Sequence, residues 1–154
     1  MAHIHHLLPI NAEKRKIFDA ITSQKGLSKW WTKDCLAQPV TEYVNQFKFG
    51  ELIENHMKVI DLQPDKRVEW ECIKSVKEWI GTRVIFEIID KDGMNFLNFL
   101  HIGFENEDDF FASCNFNWAK NLISLKNLCE TGKGSPFNPA TDLDEVKALR
   151  KKSN

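Results

Sequence analysis

The sequence predicts an α+β fold: a curved antiparallel sheet of about six to seven strands wrapped around one long C-terminal helix, with two short helices after the first strand. Three observations carry this expectation. Apolar residues alternate with a period of two through the middle of the chain, and short turn sequences separate those runs. The period then changes once, after about residue 112, to ~3.6.

His3 to Leu8 is β-compatible and ends at Pro9. Asn11 can cap a helix, and Ile17, Phe18, Ala20 and Ile21 recur at helical spacing after it. Gly26 is expected to break that run, with Leu27, Trp30 and Trp31 adding one further turn that buries its indoles.

Val44 to Leu52 reads as a strand with Phe47 and Phe49 on one face, and Met57 to Leu62 as the next. Gln63-Pro64-Asp65-Lys66 is a turn, because Pro presets φ and Asp bonds back to the backbone. In Arg67 to Cys72, Val68, Trp70 and Cys72 face one way and Arg67, Glu69 and Glu71 the other, as in a sheet with one dry and one wet face. Thr82 to Ile89 places Val84, Phe86 and Ile88 together, Lys91-Asp92-Gly93 supplies a hairpin turn, and Met94 to Phe104 returns with Leu97, Phe99 and His101 on one face.

From about Ala112 to Thr131, Trp118, Leu122, Leu125 and Cys129 form a stripe that Ala119, Ile123 and Leu128 widen, and Gly132 is placed as a stop. Short turns between consecutive strands imply antiparallel pairing, and the long helix must bury its stripe on the sheet. The domain is expected over residues 3–137. Gly134, Pro136 and Pro139 introduce a charged tail over 138–154 that could hold a short helix, with Leu143, Val146 and Leu149 as its stripe.

The chain has 154 residues, enough for one domain with its own core. Its 21 basic and 22 acidic residues give a net charge of −1, which argues against a nucleic-acid partner. Cys35, Cys72, Cys114 and Cys129 form no C-x-x-C pair, so reduced thiols in a cytoplasmic protein are expected rather than a zinc or redox site. No signal peptide and no membrane span are read in the sequence, where no run approaches ~20 apolar residues. Eleven Phe and five Trp against one Tyr fit either a well-filled core or an aromatic-lined cavity.

Leu8-Pro9-Ile10-Asn11-Ala12-Glu13 with Ile17 to Thr22, the double aromatic in Leu27-Ser28-Lys29-Trp30-Trp31, and Val59 to Pro64 with Arg67-Val68-Glu69-Trp70 form an ordered set. His101-Ile102-Gly103-Phe104 and the stretch from Asn117-Trp118 to Phe137 complete it. This set resembles the START-like (SRPBCC, helix-grip) superfamily and, within it, the Aha-type family of activators of heat-shock-chaperone ATPase. The resemblance covers residues 3 to 137. It departs at Asn117, where the family often has Gly, and in the second strand, where only Gly50 remains of a Gly-rich pattern. It implies the helix-grip fold and a stress-related role. Its chaperone contact belongs to eukaryotic members that carry additional domains.

No G-x-S-x-G, H-E-x-x-H or glycine-rich phosphate loop is present, so no catalytic residues, metal or cofactor are expected, although some members of the superfamily are cyclases or hydrolases. His3 and His5 share a strand face that suits either a metal or an exposed edge; His6 lies beside them. Arg67, Glu69 and Glu71 read as a solvated face, and Glu105 to Asp109 as a loop or helix approach.

Trp70, Phe86, Ile88, Leu97, Phe99 and His101 from the sheet, with Trp118 and Leu122 from the helix, are expected to line an apolar space, because period-two positions on neighbouring strands share one face. His101 is then either the orienting polar group of a ligand site or a core histidine. The expected function is non-catalytic binding of a small apolar ligand. The alternatives are a chaperone partner, with self-association also open, and a cyclase- or hydrolase-type enzyme.

Overall fold

The architecture is that of a computed structural model of the chain, which describes residues 1–144 and 147. The elements run β1 (Ala2–Pro9), α1 (Lys14–Thr22), α2 (Gln24–Trp30), β2 (Cys35–Leu36), β3 (Val44–Phe49), β4 (Ile53–Gln63), β5 (Arg67–Lys74), β6 (Arg83–Lys91), β7 (Met94–Phe104) and α3 (Asp109–Thr131). One seven-stranded sheet has the order β1-β7-β6-β5-β4-β3-β2, antiparallel throughout, so the first strand closes on the last. Register breaks in β4, between His56 and Met57 and between Val59 and Asp61, act as bulges where the sheet bends. The curved sheet takes α3 against its concave face, as expected.

The period-two reading holds: Val68, Trp70, Cys72, Val84, Phe86, Ile88, Leu97, Phe99 and His101 are all buried on that face. Asp92 and Gly93 both take positive φ, the two-residue hairpin geometry that twisted strands favour. The helix buries Trp118, Leu122, Leu125 and Cys129, and Gly132 ends it in the left-handed conformation, with its N–H bonded to the Leu128 carbonyl.

Several boundaries differ from the sequence reading. Asn11 caps no helix; its backbone N–H bonds the Glu130 carboxylate of α3 at 2.8 Å, and α1 starts after Glu13. The break between the short helices falls at Ser23, whose hydroxyl caps α2 through the Gly26 N–H at 3.0 Å. Gly26 lies inside α2 instead, where the helices touch: a Cβ there would stand 2.6 Å from the Ala20 Cα. Strand β3 stops at Phe49 because Gly50 turns to φ 67, and the following strand begins at Ile53. Helix α3 starts earlier than Ala112, because the Asp108 side chain caps it through the Phe111 N–H at 3.0 Å. Ile123 does not widen the buried stripe; it is 58% exposed.

On the convex face, Glu69 is more buried than a solvated reading allows. Its carboxylate takes Arg67 at 2.6 Å and Arg83 at 3.1 Å, and Arg67 also binds Asp61 and Glu87.

After α3 the chain folds back. Ser135 N–H bonds the Ser124 hydroxyl at 2.7 Å, and that hydroxyl donates to the Trp30 carbonyl at 2.9 Å. Phe137 then donates its N–H to the Trp31 carbonyl at 2.7 Å and sets its ring edge-on to Phe49. Residues 139–144 are helical, and Leu143 lies against Gly50, so this part of the tail packs on the β3–β4 turn. Val146, Leu149 and the basic end of the expected tail lie outside the described residues.

Candidate functional site

Six aromatic rings close a circle through the middle of the domain. Trp31 meets Phe47 at 4.5 Å, Phe47 meets Trp70 at 5.6 Å, and Trp70 meets Phe86 at 5.1 Å. Phe86 meets Phe99 at 5.2 Å, Phe99 meets Trp118 at 4.5 Å, and Trp118 returns to Trp31 at 5.1 Å. Edge-on and tilted rings interlock at these distances. The space expected among Trp70, Phe86, Ile88, Leu97, Phe99, His101 and Leu122 is therefore taken by their own side chains.

The cavity lies to one side of this circle and measures about 300 Å³. Of the eight residues expected to line it, only Trp118 does. Trp31, at the end of α2, stands beside Trp118. Phe49 and Ile53 come from either side of the β3–β4 turn, Val76 and Trp79 from the β5–β6 connection, and Phe137 from the returning chain. Helix α3 contributes Cys114, Asn117 and Asn121 to the same wall. Sequence reasoning passed over the β5–β6 connection because it has no period. A lone Trp in a polar connection was the signal there, as was the pair of Asn at i and i+4 on the flank of the apolar stripe.

His101 does not reach the cavity. It is fully buried, and both ring nitrogens are engaged: Trp118 Nε1 lies 3.0 Å from Nδ1, and Nε2 lies 2.8 Å from the Thr82 hydroxyl. An indole can only donate, so Nδ1 must accept and Nε2 must carry the proton. Thr82 then passes its own proton to the Trp79 carbonyl at 2.6 Å. The chain runs one way, from the Trp118 indole through imidazole and hydroxyl to the Trp79 backbone, and joins two walls of the cavity. Burial pushes the imidazole down to about 3, so it stays neutral at ordinary pH.

The polar groups around the cavity fall into two sets. Most are already satisfied. Ser75 donates to Asn55 at 2.5 Å, the Ser124 hydroxyl accepts the Ser135 backbone N–H and donates to the Trp30 carbonyl, and Asp142 accepts the Asn138 N–H at 2.8 Å and a bond from Thr141 at 3.1 Å. The Cys114 sulfur accepts the Trp79 indole N–H at 3.4 Å, and burial pushes its thiol up to about 12. Lys120 stands over the Phe116 ring. The second set consists of the Trp31 indole N–H and the side-chain amides of Asn117, Asn121 and Asn127, which have no hydrogen-bond partner among the described residues.

The N-terminal histidines serve the strand edge: His5 bonds Asn98, and His3 accepts the Gly103 N–H at 3.1 Å. Among the described residues no group of three or more His, Cys, Asp or Glu could hold a metal ion, and no helix is long and apolar enough to cross a membrane.

A family model described as Activator of Hsp90 ATPase homolog 1-like protein matches residues 11–130. No curated protein matches the sequence. Among solved structures, the chain is similar to the Aha1 dimer from Colwellia psychrerythraea, with 36% identity and a TM-score of 0.80, covering 87% of this chain and 100% of that one. It also shares its fold with protein MLL2253 from Mesorhizobium loti (14% identity, TM-score 0.72, 82% of this chain and 96% of that one). The AHSA1-like protein from Aeromonas hydrophila is a third match in fold (12% identity, TM-score 0.65, 82% and 90%). With a family model spanning most of its length and a full-length relative above a third identical, the chain belongs to the Activator of Hsp90 ATPase homolog 1-like family.

Proposed function

We propose that this protein binds a small, largely apolar molecule in the cavity between α3 and the sheet, and does not transform it. The observation that carries this reading is the cavity itself, about 300 Å³ walled by Trp31, Phe49, Trp79, Trp118 and Phe137. Its size is at the lower end of small-molecule sites, which combine apolar and aromatic walls with polar groups that fix orientation; here the aromatic rings supply the apolar area and the side chains of α3 the polar groups. Cys114 on the wall is kept as a thiol by burial, so it is a weak nucleophile, which supports binding over catalysis. Four unpaired, buried cysteines support a reducing compartment such as the cytoplasm.

The test is a titration with the neutral dye N-phenylnaphthylamine, followed by quenching of Trp fluorescence. Saturable quenching is expected. Val76→Trp, which places an indole in the cavity from its half-buried rim, should weaken the dye at least ~10-fold, the effect of losing ~1.4 kcal/mol of contact. The melting temperature should stay within a few degrees. A wild-type protein that gives no saturable quenching rules the reading out.

A second reading is favoured by the family and by the Colwellia relative, which is a dimer. Phe116 and Ile123 are exposed on α3, Ile123 at the rim of the cavity, where a second copy or a chaperone could cover them. Light scattering over micromolar concentrations separates the cases: a mass of one chain that persists at the highest concentration removes self-association.

A further inference from the structure

The free edge of the sheet carries the self-association reading one step further, and rests on it. The seven-stranded open sheet has two edges, β1 and β2. Sheets blunt such edges with short strands, charges or proline, because unpaired backbone groups template pairing with another chain. At one edge β2 is only two residues long, Cys35–Leu36. At the other, β1 runs eight residues and holds no lysine, arginine or carboxylate.

The direction of each peptide group in β1 follows from its register. Ile10 donates its N–H to the Asn95 carbonyl at 2.9 Å, so it faces β7. Alternation then turns Leu8, His6 and Ile4 toward Leu97, Phe99 and His101, and turns Pro9, Leu7, His5 and His3 outward. Among the described residues, no backbone bond takes the outward N–H groups of Leu7, His5 and His3. All three residues are exposed, Leu7 at 48%. Pro9 has no N–H to offer, and its carbonyl already accepts Lys126 Nζ from α3 at 2.6 Å. The open stretch is therefore His3 to Leu7, with His5 at its centre.

We infer that this edge, rather than α3, binds a second copy of the chain: β1 pairs antiparallel with the other β1 about a two-fold axis through His5. That register sets His5 opposite His5 and His3 opposite Leu7, and each pair exchanges both of its N–H···O bonds. It leaves the closed Pro9 end outside the ladder and brings no lysine, arginine or carboxylate of the two strands together. An antiparallel edge is its own complement under a two-fold axis, which favours a second copy over an unrelated extended segment. One strand pair is a small contact, so a weak, concentration-dependent dimer is expected.

Sedimentation from micromolar to millimolar concentration tests this, on the full chain and three variants. His5→Pro removes an outward N–H and leaves the β1–β7 ladder intact, since proline is tolerated on the free side of an edge strand. His5→Ala removes the same side chain and keeps the N–H. Phe116→Ser alters the exposed face of α3. The wild type should dimerise, and His5→Pro should weaken the dimer at least ~10-fold, the loss of both bonds of the central pair. His5→Ala and Phe116→Ser should stay within about threefold of the wild type, less than the effect of one hydrogen bond. Amide hydrogen exchange reads the same contact in the wild type, and so serves even where His5→Pro fails to fold. The His3, His5 and Leu7 amides should exchange fast in dilute protein and slow as the dimer forms. A dimer that leaves those amides unprotected, or that survives His5→Pro and yields to Phe116→Ser, overturns the edge pairing while self-association stands. The mass of one chain at every concentration removes both.

Discussion

Lowering the pH from 6.5 to 4 is expected to cost the fold about 3 kcal/mol through His101 alone. Its imidazole titrates near 3 when folded, against an ordinary value of 6.5. Between those values the unfolded chain binds a proton that the folded chain refuses, so stability falls as the pH falls, at ~1.4 kcal/mol per unit. The refusal has two sources. The site is fully buried, and Nδ1, where a second proton would go, already accepts the Trp118 indole N–H. Other groups push the same way. The Asp61 carboxyl is held below its usual range by hydrogen bonds from Gln63 and Arg67, and Glu130 by the Asn11 N–H and Lys126. To isolate the imidazole, denaturant melts at pH 4 to 6 can compare the wild type with His101→Gln. The variant should lose about one proton's worth of pH dependence. An unchanged slope would assign the acid sensitivity to the carboxylates.

Replacing Leu122 with Ala should destabilise the protein by ~2–5 kcal/mol, the range for truncating a packed Leu whose cavity closes only in part. Leu122 is 2% exposed, one turn along α3 from Trp118, on the stripe that faces the sheet. Ile123→Ala, one residue on but 58% exposed at the cavity rim, serves as the internal control and should change stability by less than ~0.5 kcal/mol. Equal losses at both positions would mean that α3 does not turn Leu122 toward the sheet.

The contrast between these two neighbours shows how far the sequence could be read. Period alone located the concave face of β5, β6 and β7 and the buried stripe of α3, since an alternating or helical pattern reports which side of an element is dry. Turn chemistry located the Asp92–Gly93 hairpin and the Gly132 stop. Period is silent on how faces fit once they meet. Trp70, Phe86 and Phe99 point where they were expected to point, but their rings interlock with Phe47 and Trp118 and leave no room.

The open space arises where elements without periodicity come together: the β3–β4 turn, the β5–β6 connection with Val76 and Trp79, and the segment through Phe137 that returns to Trp31. Which loops converge is a property of the closed sheet, and the local sequence of each loop does not report it. His101 was legible as a buried polar group on an apolar face. Its partners were not, because Thr82 and Trp118 lie 19 and 17 residues away.

The proposed ligand site lies beside the aromatic circle and not within it. The five tryptophans make this directly measurable. Each indole N–H gives its own signal in a proton–nitrogen correlation spectrum, and addition of N-phenylnaphthylamine should move them unequally. The signals of Trp31, Trp79 and Trp118, which border the cavity, should shift with dye concentration and saturate together. Those of Trp30 and Trp70, buried away from it, should stay in place. Shifts at Trp70 with Trp79 silent, or no saturable shift at any indole, would contradict that location.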